Sequence, residues 1–78
     1  PHPSMVEQAL AEAGAEPRRS LMIGDTSFDM AMGAAAGTVP VGVDWGYHDR
    51  AELIAAGAAF VADAPDDILA FARELADG

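Results

Sequence analysis

The sequence predicts an α/β fold on a parallel sheet, with elements in the order α-β-α-β-α-β-α. Two observations carry the prediction. Short apolar runs at 20–24, 39–43 and 59–61 alternate with Ala-rich stretches of helical composition, and each run leads within two residues to an acid: Asp25, Asp44 and Asp63. Runs of that length between turn residues suit strands buried on both faces. Strands alternating with single helices imply right-handed crossovers and a parallel sheet.

The elements follow in order. Ser4-Met5-Val6-Glu7 reads as a capping box, in which the Ser hydroxyl accepts from the Glu7 amide and the Glu carboxylate reaches back. Met5, Val6, Ala9, Leu10 and Ala13 then fall at helical spacing and Gly14 stops the helix, which places it at 4–13. Glu16-Pro17-Arg18-Arg19 reads as a loop whose arginines are surface charges before the first strand, 20–24. Residues 28–36 are helical in composition and close at Gly37. In the second strand, 39–43, Pro40 removes one donor, which is tolerated at a first position or on an edge. Residues 44–48 form a loop, in which Trp45 and Tyr47 read either as walls of a site or, as expected here, as residues packed under the loop. Asp49-Arg50-Ala51-Glu52 is a second capping-box pattern and opens a helix to Ala56 before Gly57. After the third strand, 59–61, Pro65 suits a first helical turn and Asp66 and Asp67 complement the helix dipole. That last helix runs to Ala76. Met5, Met22, Met30 and Met32 are expected to fill gaps in the core.

Size and charge narrow the possibilities. A chain of 78 residues buries only about 60% of the surface it exposes when unfolded. Although 51% of its residues are hydrophobic, many of them are Ala. The chain is therefore expected to need company, either more of its own polypeptide or another subunit. It begins at Pro1 rather than Met, so a native start is expected elsewhere. A net charge of -9 disfavours nucleic acid and anionic membrane surfaces as partners. No apolar run approaches the roughly 20 residues of a membrane span. The absence of Cys rules out disulfides and thiolate metal sites, and fits a cytoplasmic protein.

In open parallel sheets, ligands gather at the carboxyl ends of the strands. Of the three acids placed there, only Asp25 has a second carboxylate close by in sequence, at Asp29. Gly24 lets the backbone turn sharply off the strand. Thr26 and Ser27 add hydroxyls, and a helix N-terminus opens next, where free amides attract anions. A hard cation such as Mg²⁺ takes one or two carboxylates plus waters and substrate phosphate. Asp25 at the strand end suits such a ligand, and Asp29, one helical turn on, suits a group that orients it. The same residues also read as local structure, with Asp25 or Ser27 capping the helix and Asp29 complementing its dipole. His48 reads either as substrate-facing or as a solvated or capping loop residue.

Several segments together resemble one family. They are Pro1-His2-Pro3, Ile23-Gly24-Asp25-Thr26-Ser27-Phe28-Asp29-Met30, Ala34-Ala35-Ala36-Gly37, Val41-Gly42-Val43, Trp45-Gly46-Tyr47-His48, and Glu52-Leu53 with Ala56-Gly57-Ala58. In this order they resemble the C-terminal half of haloacid-dehalogenase (HAD) superfamily phosphatases, the phosphoglycolate-phosphatase-like branch. The resemblance implies a Rossmann-like core domain of which residues 1–78 are the C-terminal portion, with the cap domain and N-terminal half outside them. It implies a Mg²⁺-dependent phosphate-monoester hydrolase that works through an aspartyl-phosphate on a small phosphorylated metabolite. On this resemblance Asp25 binds Mg²⁺, and Asp29 supports the site through the metal's waters or the family's lysine. That lysine has no counterpart in these residues, nor has the Asp-x-Asp segment holding the nucleophile or the Ser/Thr phosphate-binding motif. The chain alone is accordingly expected to be inactive. Family members acting on haloacids use no metal and differ at this position, so Gly-Asp-Thr followed by Asp29 resembles the phosphotransfer branch. Asp44 departs from the family, which has a small or neutral residue before the Trp/Tyr-Gly-Tyr loop, and is not assigned to the metal. His2 follows the missing lysine and takes no assigned role.

Two other classes compete. A flavodoxin-like binding or receiver module would carry a Lys after its last strand, whereas the basic residues here are Arg18, Arg19, Arg50 and Arg73. An inactive structural fragment would pair with another chain through an exposed sheet edge.

Overall fold

The computed structural model describes residues 3–77. His2 lies outside the described residues. The elements are α1 (Ser4–Ala13), a 3₁₀ turn (Pro17–Arg19), β1 (Leu21–Gly24), α2 (Ser27–Ala35), β2 (Val39–Val43), α3 (Arg50–Ala55), β3 (Phe60–Ala62) and α4 (Pro65–Asp77). The predicted order therefore stands. The expected loop at 16–19 contains the 3₁₀ turn, which the Ser20 hydroxyl closes by donating to the Glu16 carbonyl at 2.7 Å.

The strands form one parallel sheet in the order β1-β2-β3, with Leu21 opposite Val39 and Val41 opposite Phe60. Pro40 thus lies second in the central strand, neither first nor on an edge. Its position is tolerated for another reason. The Val39 amide donates to Ser20 on the β1 side, and the Pro40 carbonyl accepts from Ala59 on the other side. The missing Pro40 donor faces that second side, where the ladder with β3 has not yet begun.

The two faces of the sheet follow from alternation along the strands. Met22, Pro40, Gly42 and Val61 point one way, toward α2 and α3. The helices approach this face closely. A Cβ added at Gly33 of α2 would lie 2.7 Å from Met22 Cβ, and one at Gly42 would lie 2.8 Å from a Leu53 methyl. Met30, Leu53 and Val61 form the core here, and Met30 and Leu53 are fully buried. Buried Thr38 joins it by donating its hydroxyl to the Gly33 carbonyl at 2.8 Å. On the opposite face Phe60 stacks on Phe71 of α4, with ring centroids 4.7 Å apart. Val41 and Val43 are buried on that face, while Ile23 on β1 stays exposed.

The helix ends follow local signals at their C-termini more closely than at Ser4. At Gly37 (φ 82) the amides of Gly37 and Thr38 return to Ala34 and Gly33, a Schellman closure. The same pair of bonds ends α1 at Gly14 and α3 at Gly57. The box at Ser4 does not form. Pro3 is the cap residue and its carbonyl accepts from the Glu7 amide at 2.9 Å, so Ser4 lies inside the first turn. α1 buries none of its residues, and Met5, expected in the core, is 79% exposed. Met22 and Met32 are half-buried. Among the described residues, no helix is long and apolar enough to cross a membrane.

Gly33 tests the tight packing of α2 on β1. Alanine is better than glycine in a helix by about 1 kcal/mol, but overpacking costs about 1–3 kcal/mol, and Met22 Cβ sits at the root of its side chain and cannot swing away. Gly33→Ala in the full-length protein should therefore lower the urea midpoint. A midpoint equal to wild type or higher would mean that helix and strand are not in this close contact.

Candidate active site

The site begins where β1 stops. Asp25 leaves the strand and Thr26 caps α2, its Oγ1 accepting from the Asp29 amide at 3.1 Å. Thr26 is thus the cap, in place of Asp25 or Ser27. The same hydroxyl donates to Asp29 Oδ2 at 3.0 Å, which fixes that carboxylate. Asp29 is folded back over the strand end. A Cβ at Gly24 would lie 2.4 Å from both Asp29 Cβ and Oδ2. Gly24 therefore does more than turn the chain, because its bare α-carbon is the floor on which Asp29 rests.

Asp25 is held from the other side by the 44–49 loop. Its Oδ2 accepts from the Tyr47 amide at 3.2 Å, and its carbonyl accepts from the His48 amide at 2.9 Å. A Cβ at Gly46 would lie 2.1 Å from Asp25 Cβ, so only glycine lets the loop come this close. The His48 ring turns inward, and its Nδ1 accepts from the Ser27 amide at 2.7 Å. One of the helix amides expected to attract anions is thereby already taken. His48 Nε2 lies 3.9 Å from a Glu52 carboxylate oxygen. Trp45 and Tyr47, expected to pack under the loop, project outward and are 51% and 81% exposed.

The other two strand-end acids form a separate group. Arg50 donates to Asp44 Oδ2 at 3.4 Å and also to Asp63. Hydrogen bonding with Asp63 raises the Asp44 carboxyl above its ordinary range, aided by burial and charge repulsion and opposed by Arg50. Asp63 moves down, first through its bond with Asp44 and then through Arg50. Asp67 caps the start of α4 by accepting from the amides of Asp63 and Ala64, both at 3.0 Å. Arg18 and Arg19 lie at the opposite end of the sheet, where they line a groove of about 350 Å³ with Leu75, Ala76 and Asp77.

The fold thus brings Asp25 and Asp29 together at the end of β1, both half-buried. Among the described residues, no group of three or more His, Cys, Asp or Glu side chains is arranged to hold a metal, and no salt bridge reaches Asp25 or Asp29. The sequence pattern of HAD-hydrolase-like proteins matches residues 1–74. The chain belongs to the HAD-like hydrolase family.

Relatives named as phosphatases and pyrophosphatases are among the proteins it is similar to. A probable phosphatase, IndB of Dickeya dadantii, is 35% identical over 75 residues, which cover 96% of this chain and 33% of that protein. The pyrophosphatase PpaX of Bacillus mycoides is 39% identical over 69 residues, 88% of this chain and 32% of its own length. A hydrolase from Pseudomonas syringae superimposes with a TM-score of 0.82 at 33% identity, over 94% of this chain and 33% of that one. A haloacid dehalogenase-like hydrolase from Streptococcus pneumoniae gives 0.81 at 30% identity, over 91% and 34%. The chain spans about a third of the length of each.

Within this HAD-like chain, sequence reasoning placed Asp25 and Asp29 at the strand end but missed what holds them. The capping role of Thr26 has a local signal, Thr three residues before Asp. The contacts of Gly46 and His48 join positions 21 or more residues apart, and no spacing rule points to them.

Arg50 offers a test of the second acidic group. Asp63, with its carboxyl lowered, contributes stability above the ordinary carboxylate range and loses it as pH falls. Asp44, with its carboxyl raised, contributes when protonated and loses that contribution as pH rises. Removing Arg50 leaves two facing carboxylates at neutral pH, whereas below about pH 4 protonation relieves them. Arg50→Met should lower the urea midpoint at pH 7, with the gap closing toward pH 4. A gap independent of pH would mean that Arg50 acts by packing alone.

Proposed function

We propose that this chain carries the acidic metal corner of a Mg²⁺-dependent phosphatase that hydrolyses a small phosphorylated metabolite through an aspartyl-phosphate. The observation that carries this reading is the pair of half-buried carboxylates, Asp25 and Asp29, each pressed against a glycine at the carboxyl end of β1. Membership of a family whose named relatives include phosphatases and pyrophosphatases supports it.

The donor set suits the ion. Carboxylate oxygens are hard ligands, and Mg²⁺ needs only one or two of them beside waters and substrate oxygens. Asp25 would be the ligand. Asp29, locked by Thr26, would orient a metal-bound water or a cationic group. When bound, Mg²⁺ neutralises charge on the transferring phosphoryl group. A chain of net charge -9 repels a phosphate dianion, so a cation at this edge is also what would let substrate approach. Arg50 is committed to Asp44 and Asp63, and Arg18 and Arg19 lie at the far end of the sheet.

On this reading residues 1–78 are the C-terminal part of the core domain. The nucleophile, the lysine and the cap domain lie in the remaining two thirds of a protein of the relatives' length. The unpaired edge of β1 is where more sheet would join, from the same polypeptide or a second copy. A Cys-free, acidic chain, whose charge disfavours nucleic acid and anionic membrane surfaces, suits work on metabolites in the cytoplasm.

Phosphate release by the full-length protein tests the assignment, with p-nitrophenyl phosphate and pyrophosphate as substrates. Turnover should require Mg²⁺. Metal stabilisation of the transferring group is worth several kcal/mol, and about 1.4 kcal/mol is tenfold in rate. Asp25→Asn should therefore lower kcat/KM at least about 100-fold, while residues 1–78 alone give no turnover. Full activity in Asp25→Asn, or hydrolysis by the 78 residues alone, would sink the reading.

A further inference from the structure

We propose that His48 is a positioning residue that fixes the metal-facing carboxylate of Asp25. The inference rests on the assignment of Asp25 to the metal. A closed ring of contacts holds the loop. The His48 ring accepts from the Ser27 amide at 2.7 Å through Nδ1, its own amide donates to the Asp25 carbonyl at 2.9 Å, and the chain from Asp25 to Ser27 completes the circuit. The loop is thereby held at both ends of the segment that carries Asp25. Held there, the neighbouring Tyr47 amide reaches Asp25 Oδ2 at 3.2 Å and fixes the rotation of the carboxylate. Gly46 lies against Asp25 Cβ and keeps the loop from sliding.

The chemistry demanded at position 48 is specific. An acceptor must stand at the Nδ1 position, about one bond beyond Cγ, and must be unprotonated to receive the amide hydrogen. The ring proton then sits on Nε2, the side that faces Glu52 at 3.9 Å. Asn can place its carbonyl oxygen at the Nδ1 position, whereas Gln carries its carbonyl one bond further out. The imidazole spends its acceptor on Ser27 and acts on the reaction only through Asp25. Partners that orient a metal ligand typically change metal affinity 10–100-fold when removed.

The experiment compares full-length wild type, His48→Asn, His48→Gln and Asp25→Asn. Mg²⁺ affinity is measured by calorimetry without substrate, and kcat and KM for p-nitrophenyl phosphate at saturating Mg²⁺. His48→Gln should weaken Mg²⁺ binding about tenfold, with kcat largely recovered when Mg²⁺ saturates. His48→Asn should rescue the affinity to within about threefold of wild type. Wild-type affinity in His48→Gln, or equal losses in both variants, overturns the proposal, because a residue serving only helix stability would move the melting temperature and leave Mg²⁺ affinity alone. Asp25→Asn with undiminished Mg²⁺ binding overturns the metal assignment itself, a result separable from either His48 pattern. Should His48→Gln not fold, the wild-type protein decides by NMR. A scalar coupling between the Ser27 amide nitrogen and His48 Nδ1, and a Ser27 amide shift that follows Mg²⁺ titration, are expected. An uncoupled or unresponsive Ser27 amide overturns the proposal.

Discussion

Asp29 rests on the bare α-carbon of Gly24, and most of the architecture at this end of the molecule follows from that contact. With any side chain at Gly24 the carboxylate would have to leave, since an added Cβ would sit 2.4 Å from it. Because Asp29 also supplies the amide that Thr26 caps, the contact sets the start of α2 as well as the place of the acid. One turn further along α2, Gly33 meets Met22 of the same strand in a second close approach. The helix is therefore pinned to β1 at two points, four residues apart on α2 and two apart on β1. A helix so held cannot rotate without driving a backbone into a side chain, which makes the direction of the Asp29 carboxylate a property of the packing.

The carboxyl edge of the sheet divides its acids by what answers their charge. Asp44 and Asp63 face each other and share Arg50, so that group is closed on itself. Asp25 and Asp29 are met by neutral donors, the Tyr47 amide and the Thr26 hydroxyl. Neutral hydrogen bonds orient a carboxylate and leave its charge in place. Both pairs are aspartates at the carboxyl edge of the sheet, yet one is a structural clasp and the other remains electrostatically open.

Much of this fold could be read locally. The Schellman closures at Gly14, Gly37 and Gly57 and the Asp49 cap each depend on residues within about one helical turn, and the sequence alternation was enough for the order of elements. The expectations that failed did so where a local pattern met a tertiary competitor. The capping box at Ser4 lost to the Pro3 carbonyl, which took the Glu7 amide one residue earlier. Pro40 suits a first position or an edge, but in the central strand the short β3 leaves its missing donor outside any ladder. Trp45 and Tyr47, expected to pack under the loop, are turned outward with Gly46 seated on Asp25 between them.

The candidate site was legible in its acids and illegible in its support, and the reason is physical. A carboxylate after a buried strand announces itself by type and position. A glycine announces only that a side chain is missing, and sequence cannot say whether the space serves a turn or a neighbour. Gly24 and Gly46 both look like turn residues, and neither has a left-handed φ. What each needs is room, Gly24 for Asp29 and Gly46 for Asp25, the second across 21 positions of chain. The pairing of two acids with two glycines therefore constrains the site as tightly as the acids themselves: alanine at Gly46 would leave every carboxylate in the sequence and still force the loop, or Asp25, out of place.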